Sequence, residues 1–354
     1  MIPVNKPTIN KSTSMIRDLD RALESRYVTN FGPFHNELEE QIQQISGGYT
    51  QLCNNATTGL IASISCLVEE TGEIITPAFT FPATTQAIRI LGHDPVYADS
   101  MPNSFNICPV EVERLITDRT KAIVAVQCYG FTDGVVELSE IAKRHGIPLI
   151  FDAAHAFTST VNGLKLSEYA DAVIYSFHAT KLFNCIEGGA VIVKSEELKN
   201  GIKSFINFGM NSKSEITSYG FNGKLSELHA IVGIHNLQSL SYDIIARKKI
   251  YELYQLLITT AEVEHFKFTS DFNFAYFPLL FTKEENLIEI LDKLKSQKIL
   301  ARRYFYPLAV PKNESVLNTF DNAKRYSDCV ICLPLFPDLD PTEVKKIAGI
   351  INAI

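Results

Sequence analysis

The chain has no long apolar run. None of its stretches approaches the roughly 18 residues a membrane-spanning helix needs, and its start, MIPVNKPTINKS, lacks the charged beginning and apolar centre of a secretory signal. A cytoplasmic location is therefore expected. Neither an internal repeat nor a low-complexity linker is present, which argues against solenoid arrays and tethered domains. Positive charge is scarce: 33 Lys and Arg stand against 40 Asp and Glu, a net charge of −7. Such a surface repels a phosphate backbone, so general nucleic-acid binding is excluded and any anionic ligand needs a local site. The hydrolase signatures GxSxG and HExxH are absent. The seven cysteines are odd in number and scattered, as suits reduced thiols. Cys329 and Cys332 form a lone CxxC in SDCVICLPLF; the run reads as a buried strand ending at Pro334, and no second pair completes a zinc set. No metal is expected.

What is present is an ordinary globular composition. With 354 residues, 46% hydrophobic and 21% charged, the chain can bury a sizeable core in one large or two modest domains. From about residue 49 to 194, short β-branched apolar runs alternate with segments of helical period, the mark of βαβ units. Candidate strands are Tyr49 to Cys53, Glu73 to Thr76, Asp94 to Ala98, Lys121 to Gln127, Pro148 to Asp152, Asp171 to Ser176 and Ala190 to Val193. Helix candidates between them include Thr58 to Leu67, Pro82 to Leu91 and Val136 to His145. A helical stretch from about Lys224 to Ile258, softly broken near Ser239 to Tyr242, leads into a smaller region from Glu264 onward. The expected division is 1–240 and 241–354.

Ligands of open α/β sheets bind at the carboxyl ends of strands, so residues just past each strand carry the functional information. Four such ends stand out: CNNATTG, TPAFTFPAT, FDAAHAF with Asp152 and His155, and YSFHATKLFN with Ser176, His178 and Lys181. Singly, each has an ordinary explanation: an Asp there caps a helix or forms a turn, and a Lys is a solvated charge.

Taken in order with IPVNKP, YVTNFGPF, EGGAVIV, YGFNGKLSELHA, RRYFYPL and LPLFPDL, the four segments resemble the DegT/DnrJ/StrS family of nucleotide-sugar aminotransferases over nearly the whole chain. The resemblance implies a fold type I pyridoxal 5'-phosphate enzyme: an α/β fold with a large domain, its mostly parallel seven-stranded sheet lying between helices, and a smaller C-terminal α/β domain. It also implies a homodimer whose active sites are shared between subunits.

Lys181 matches the lysine that carries the cofactor, where the chemistry demands an amine able to attack an aldehyde and then move protons. Apolar Leu182 and Phe183 beside it favour a lowered pKa. Asp152 matches the carboxylate that keeps the pyridine nitrogen protonated, and His155 a contact to the phenolic oxygen. Phe81 matches an aromatic lying on the ring. Ala56 and Thr57 stand where a Gly-Thr pair holds the phosphate at a helix start, and alanine there narrows the backbone's freedom. Ser176 matches a donor to that phosphate, and Asn222 one reaching it from the neighbouring subunit. Lys224, Phe208, Ala309 and Cys185-Ile186 depart from the usual motifs in segments expected near the sugar and nucleotide; Arg302 and Arg303 are diphosphate candidates by charge.

The implied reaction is ping-pong transfer of an amino group from L-glutamate to a nucleotide-linked keto-deoxysugar. SFHATKLFNCIEGG favours dTDP-4-keto-6-deoxy-D-glucose as acceptor, converted to dTDP-4-amino-4,6-dideoxy-D-glucose for O-antigen or related surface polysaccharide. A 3-aminotransferase acting on a 3-keto-6-deoxy sugar nucleotide is the alternative, and a non-catalytic regulatory protein that binds the cofactor a more remote one.

Overall fold

The computed structural model describes residues 1–264, 271–311 and 320–354; parts of the expected C-terminal region, 265–270 and 312–319, lie outside the described residues. Twelve strands and twelve α-helices are described. The strands are β1 (Tyr49–Cys53), β2 (Glu73–Pro77), β3 (Asp94–Ala98), β4 (Thr120–Val126), β5 (Leu149–Asp152), β6 (Thr160–Val161), β7 (Leu164–Lys165), β8 (Ala172–Ser176), β9 (Gly189–Val193), β10 (Val263–Glu264), β11 (Phe277–Phe281) and β12 (Val330–Leu333). The helices are α1 (Thr13–Ser25), α2 (Pro33–Ser46), α3 (Ala56–Leu67), α4 (Pro82–Ile90), α5 (Pro109–Leu115), α6 (Val135–His145), α7 (Glu196–Phe205), α8 (Glu227–Leu237), α9 (Leu240–Leu257), α10 (Glu284–Ser296), α11 (Asp321–Cys329) and α12 (Pro341–Ile351).

Seven strands form one sheet in the order β1-β9-β8-β5-β4-β2-β3. All run the same way except β9, which is antiparallel to both its neighbours. Each of the seven strand candidates read from the sequence is present, because a sheet covered on both faces needs continuous apolar runs. Alternation sorts their side chains: Ala122, Val124, Ile150, Ala172, Ile174, Val191 and Val193 pack with residues of α3, α4 and α7, while Ile123, Ala125, Leu149, Phe151, Val173, Ala190 and Ile192 join the larger cluster on the other face.

The helical stretch after Lys224 is broken where expected, between α8 and α9, with Ser239 at the junction. Beyond it, β10, β11 and β12 make a small antiparallel sheet backed by α10 and α12, with an apolar cluster of its own around Tyr254, Phe281, Leu294 and Ile351. The chain's beginning joins this layer: Ile2 packs on that cluster and pairs with Ile299, and the Leu335 N–H donates to the Val4 carbonyl. The CxxC does not lie wholly in a strand. Cys329 closes α11 and only Cys332 is in β12; the helix continues because Tyr326 and Ala323 turn its apolar side into the core. All seven thiols are free. Among the described residues no helix is long and apolar enough to cross a membrane, and no group of three or more His, Cys, Asp or Glu is placed to hold a metal.

Candidate active site

A cavity of about 390 Å³ opens at the carboxyl edge of the sheet. The two-residue period puts Val126, Asp152 and Ser176, the last residues of β4, β5 and β8, on the face covered by α3 and α4, and all three line the cavity. Asp152 is 6% exposed. Its Oδ2 accepts from Thr84 Oγ1 at 2.7 Å and its Oδ1 from the Ala154 N–H at 3.2 Å. Burial nevertheless raises the carboxyl pKa, outweighing these bonds and the Lys181 charge.

Three residues on, His155 receives the Tyr129 backbone N–H on Nδ1 at 3.2 Å. A backbone donor leaves that nitrogen only the acceptor role, so the ring proton sits on Nε2. Burial, seconded by Lys181, holds the imidazole well below its ordinary pKa, in the neutral form. Its ring is stacked with Phe305 at 5.7 Å and meets Tyr276 at 4.4 Å.

Lys181 sits on the loop between β8 and the antiparallel β9. Ladder bonds continue past the strand ends, from the Phe177 N–H to the Gly188 carbonyl and from the Ala179 N–H to the Ile186 carbonyl, both at 2.8 Å. Leu182 and Phe183 are buried, Phe183 against Phe157 and Phe177, which anchors the loop in the core. Lys181 Nζ donates to Tyr276 Oη at 3.3 Å. Burial pushes its pKa down to about 8, with Asp152 opposing and Arg302 adding to the fall.

The first turn of α3 supplies a different kind of group. Asn55 caps it by accepting the Thr58 N–H at 2.9 Å, while among the described residues the N–H groups of Ala56 and Thr57 have no acceptor. The helix start approaches the sheet closely: a Cβ on Gly189 would lie 2.8 Å from both Ala56 N and Asn55 C. Phe81 caps α4 ahead of Pro82 and is 52% exposed, a large apolar ring facing the cavity.

The structure thus brings together Lys181, Asp152, His155, Ser176, Ala56, Thr57 and Phe81. Asn222 is the exception: it is exposed, pairs with Asn207 and does not line this chain's cavity. None of Lys224, Phe208, Ala309, Cys185 and Ile186 lines it either; Lys224 lies over the Phe208 ring at 4.7 Å and donates to Asn207. The two arginines part company, with Arg302 in the wall and Arg303 tied to Glu284 at 2.8 Å and to the Asp328 carbonyl at 2.7 Å.

Sequence reasoning missed several supporting residues. Thr84 could have been found as a hydroxyl one turn into the helix after FTFP. Tyr276 comes from a distant segment with no motif of its own, and Tyr304 and Phe305 lie in RRYFYPL, where only the two arginines were singled out. Arg247 of α9, 1% exposed, is the least expected. Its guanidinium donates to the carbonyls of Leu335 at 2.7 Å and Ala275 at 3.2 Å and to Asn5 Oδ1 at 3.0 Å. Asn5, in the IPVNKP start, donates in turn to the carbonyl of Thr180, next to Lys181. One buried cation therefore ties the segments carrying Lys181 and Tyr276.

The donor set suits a flat, phosphorylated aldehyde. A buried carboxylate can face a cationic ring nitrogen, free amides at a helix start can take a phosphate, an exposed aromatic can cover a ring, and an amine of lowered pKa can engage a carbonyl.

Residues 10–352 match the DegT/DnrJ/EryC1/StrS aminotransferase family. The chain is 35% identical to a dTDP-4-amino-4,6-dideoxy-D-glucose transaminase of Escherichia coli, over 99% of this chain and 98% of that one. It is 28% identical to a UDP-2-acetamido-2-deoxy-3-oxo-D-glucuronate aminotransferase of Pseudomonas aeruginosa, over 90% of each. Among solved structures it superposes with TM-score 0.91 on DesI, crystallised in the presence of its TDP-sugar product, at 28% identity over 99% of this chain and 92% of that one. Helicobacter pylori PseC, an aminotransferase of pseudoaminic acid biosynthesis, superposes with TM-score 0.92 at 26% identity, over 99% and 98%.

Proposed function

Since the chain belongs to the DegT/DnrJ/EryC1/StrS aminotransferase family and is a pyridoxal-phosphate-dependent sugar aminotransferase, we propose that it moves the amino group of L-glutamate to C4 of dTDP-4-keto-6-deoxy-D-glucose. The observation that carries this reading is Lys181, a half-buried amine of lowered pKa in one cavity with a buried carboxylate and a free helix start. Support for the acceptor comes from the 35% identical relative. The product serves a bacterial surface polysaccharide such as O-antigen, and the enzyme works in the cytoplasm.

When bound, pyridoxal phosphate supplies an aldehyde carbon for amines and a ring that takes up the electron pair left when a neighbouring C–H bond breaks. Lys181 would hold it and, with the donor's amine in its place, would take the proton from the donor's α-carbon on Nζ. Asp152 would face the ring nitrogen and keep it protonated. His155, its proton fixed on Nε2, would donate to the phenolic oxygen. Phe81 would cover the ring, and Ser176 with the amides of Ala56 and Thr57 would hold the phosphate. Asn222 would reach the phosphate of the partner in a homodimer. Residues 1–240 form the cofactor-binding domain, apart from the first few that join the C-terminal layer, and 241–354 the smaller one.

The test is the absorbance of the protein with pyridoxal phosphate, before and after glutamate, beside Lys181→Ala. A band that needs Lys181 and that glutamate bleaches is expected, with turnover in Lys181→Ala down by about 10⁴-fold or more. The bleached protein is then offered 4-keto and 3-keto sugar nucleotides; recovery with the 3-keto compound alone would replace the C4 assignment. A band that glutamate never bleaches would favour a protein that binds the cofactor without turnover.

A further inference from the structure

The opening segment IPVNKP lies outside the cavity, yet it touches the loop that carries Lys181. Its base is the C-terminal layer, where Ile2 is bridged to Ile299, the Val4 carbonyl accepts from the Leu335 N–H, and Lys6 pairs with Asp338. From there it crosses to the Lys181 loop and meets it twice. The Asn5 side chain donates to the Thr180 carbonyl, and the buried Asn184 donates through Nδ2 to the Thr8 carbonyl at 3.0 Å. Asn184 is held in turn by α8, whose Asn236 donates to its carbonyl at 2.9 Å and accepts the Asn10 N–H at 2.8 Å.

The Asn5 contact falls on the peptide unit that precedes Lys181. That unit is planar, so holding its two polar ends fixes the direction in which Lys181 presents its side chain. The Lys181 N–H is held from within the loop, by the His178 carbonyl at 2.9 Å. The Thr180 carbonyl, at the other end, is held from outside the loop by Asn5. Asn5 can do this only with its amide turned one way, and two donors set that turn. Its Oδ1 accepts from Arg247 at 3.0 Å and from the Lys6 N–H at 2.9 Å, which leaves Nδ2 for the carbonyl. We propose that Asn5 is a positioning residue for Lys181, aiming the amine by holding the peptide unit in front of it; the inference rests on the reading that Lys181 holds the cofactor. An amine that must attack one carbon and then receive one proton is sensitive to such aim, since a displacement of about 1 Å costs on the order of a hundredfold in rate.

Two substitutions take the bonds of Asn5 apart. Asn5→Asp keeps the shape and the acceptor that Arg247 uses but sets an oxygen against the Thr180 carbonyl, whereas Asn5→Leu removes both bonds. The experiment follows attachment of pyridoxal phosphate to the full cofactor-free chain by its absorbance band, across pH and per folded molecule. Binding of pyridoxine phosphate, which has an alcohol in place of the aldehyde, is measured beside it by calorimetry. In Asn5→Asp the plateau rates of attachment and of turnover should each fall about tenfold to a hundredfold, while pyridoxine phosphate should bind within about threefold of wild type. The urea midpoint of Asn5→Asp should lie above that of Asn5→Leu, which leaves Arg247 short of an acceptor. Lys6→Ala, which frees the same segment from Asp338, should keep attachment and turnover within about twofold. Wild-type plateaus in Asn5→Asp would overturn the proposal and leave Asn5 as a prop for Arg247. So would a pyridoxine phosphate affinity that falls as far as attachment does, the mark of a distorted pocket, or a pH midpoint that moves with the plateau intact, the mark of charge alone. An equal fall in Lys6→Ala would assign the effect to the whole segment and overturn it too. If the wild-type chain never attaches the cofactor, the reading of Lys181 fails first and the proposal with it; if it attaches the cofactor but glutamate leaves the band unchanged, only the donor assignment fails, and attachment still decides the role of Asn5.

Discussion

The two walls of the cavity are built on different principles. One is the sheet edge, where Asp152, Ser176 and the start of α3 stand at strand ends and hydrogen-bond register spaces them. The other is assembled from Tyr276 beside β11 and from Arg302, Tyr304 and Phe305, in position because Arg302 is bridged to β12 and Tyr129 donates to the Tyr304 carbonyl. The sheet edge carries groups whose charge is costly to bury, a raised carboxyl and a depressed imidazole. The second wall carries aromatic rings and an open cation. The sheet side is thus suited to fixed electronic work, and the C-terminal side to receiving what enters.

The comparison breaks most visibly at Asp152. In Asp152→Asn the side chain keeps its shape and loses its charge, and turnover is expected to fall on the order of a hundredfold to a thousandfold. Stability of the cofactor-free protein should move the other way. The folded-state carboxyl pKa is raised, so the ionised group destabilises the fold above that pKa, and the effect fades as pH falls below the unfolded value. Thermal melts at pH 7 should show Asp152→Asn at or above wild type, with the difference closing toward acid. A lower melting temperature at pH 7 would mean that the carboxylate is structural.

Joining the walls is the work of Arg247. Arg247→Met leaves the carbonyls of Ala275 and Leu335 and the side chain of Asn5 without their donor, and removes the cation that offsets the buried Asp243. A loss of about 3 kcal/mol in denaturant unfolding is expected, the scale of breaking a buried charged network. If the walls are held together this way, the variant's remaining folded fraction should also hold pyridoxal phosphate less tightly, although Arg247 does not line the cavity.

How much of each wall could be read in advance follows from its construction. The sheet edge was legible because strand ends are marked by apolar runs giving way to FDAAH and SFHATK, and because binding at that edge is a property of the topology. The second wall was legible only in part: RRYFYPL marks the segment of Arg302, Tyr304 and Phe305, but Tyr276 has no motif. Tyr276 lies in FNFAYFPLLF, a run that reads only as strand, and its meeting with Lys181 depends on packing between segments about a hundred positions apart. Arg303 shows the opposite error: charge in the sequence suggests a ligand, and only the structure reveals Glu284 already in place. The buried Arg247 carries no signal at all, since an arginine on an amphipathic helix ordinarily faces solvent.

A finer test falls where the walls touch. Because the Lys181 pKa is near 8, cofactor uptake by the cofactor-free protein needs the neutral amine and should speed up as pH rises through about 8. The Tyr276 hydroxyl accepts from Nζ and so favours the charged form. Tyr276→Phe should shift the midpoint to lower pH and slow turnover by about threefold to tenfold. A midpoint that stays put would show that the two groups are merely adjacent.

The smallest effect is expected at Ala56. The usual glycine there would be required only if the backbone took a left-handed conformation or if a Cβ met an obstacle. Neither condition holds. Ala56 is the first residue of α3 and is absent from the residues of positive φ, and the close approach at this point is accommodated from the other side by Gly189. In the proposed function, the phosphate would be held by the amides of Ala56 and Thr57 and by the helix end, which either residue presents alike. Ala56→Gly should therefore change cofactor affinity by less than about threefold and cost under about 1 kcal/mol in unfolding, the ordinary penalty for glycine in a helix. The converse change, Gly189→Ala, drives a methyl into the Ala56 amide and should cost about 1–3 kcal/mol by overpacking. The glycine that the start of α3 needs is on the strand, not on the helix.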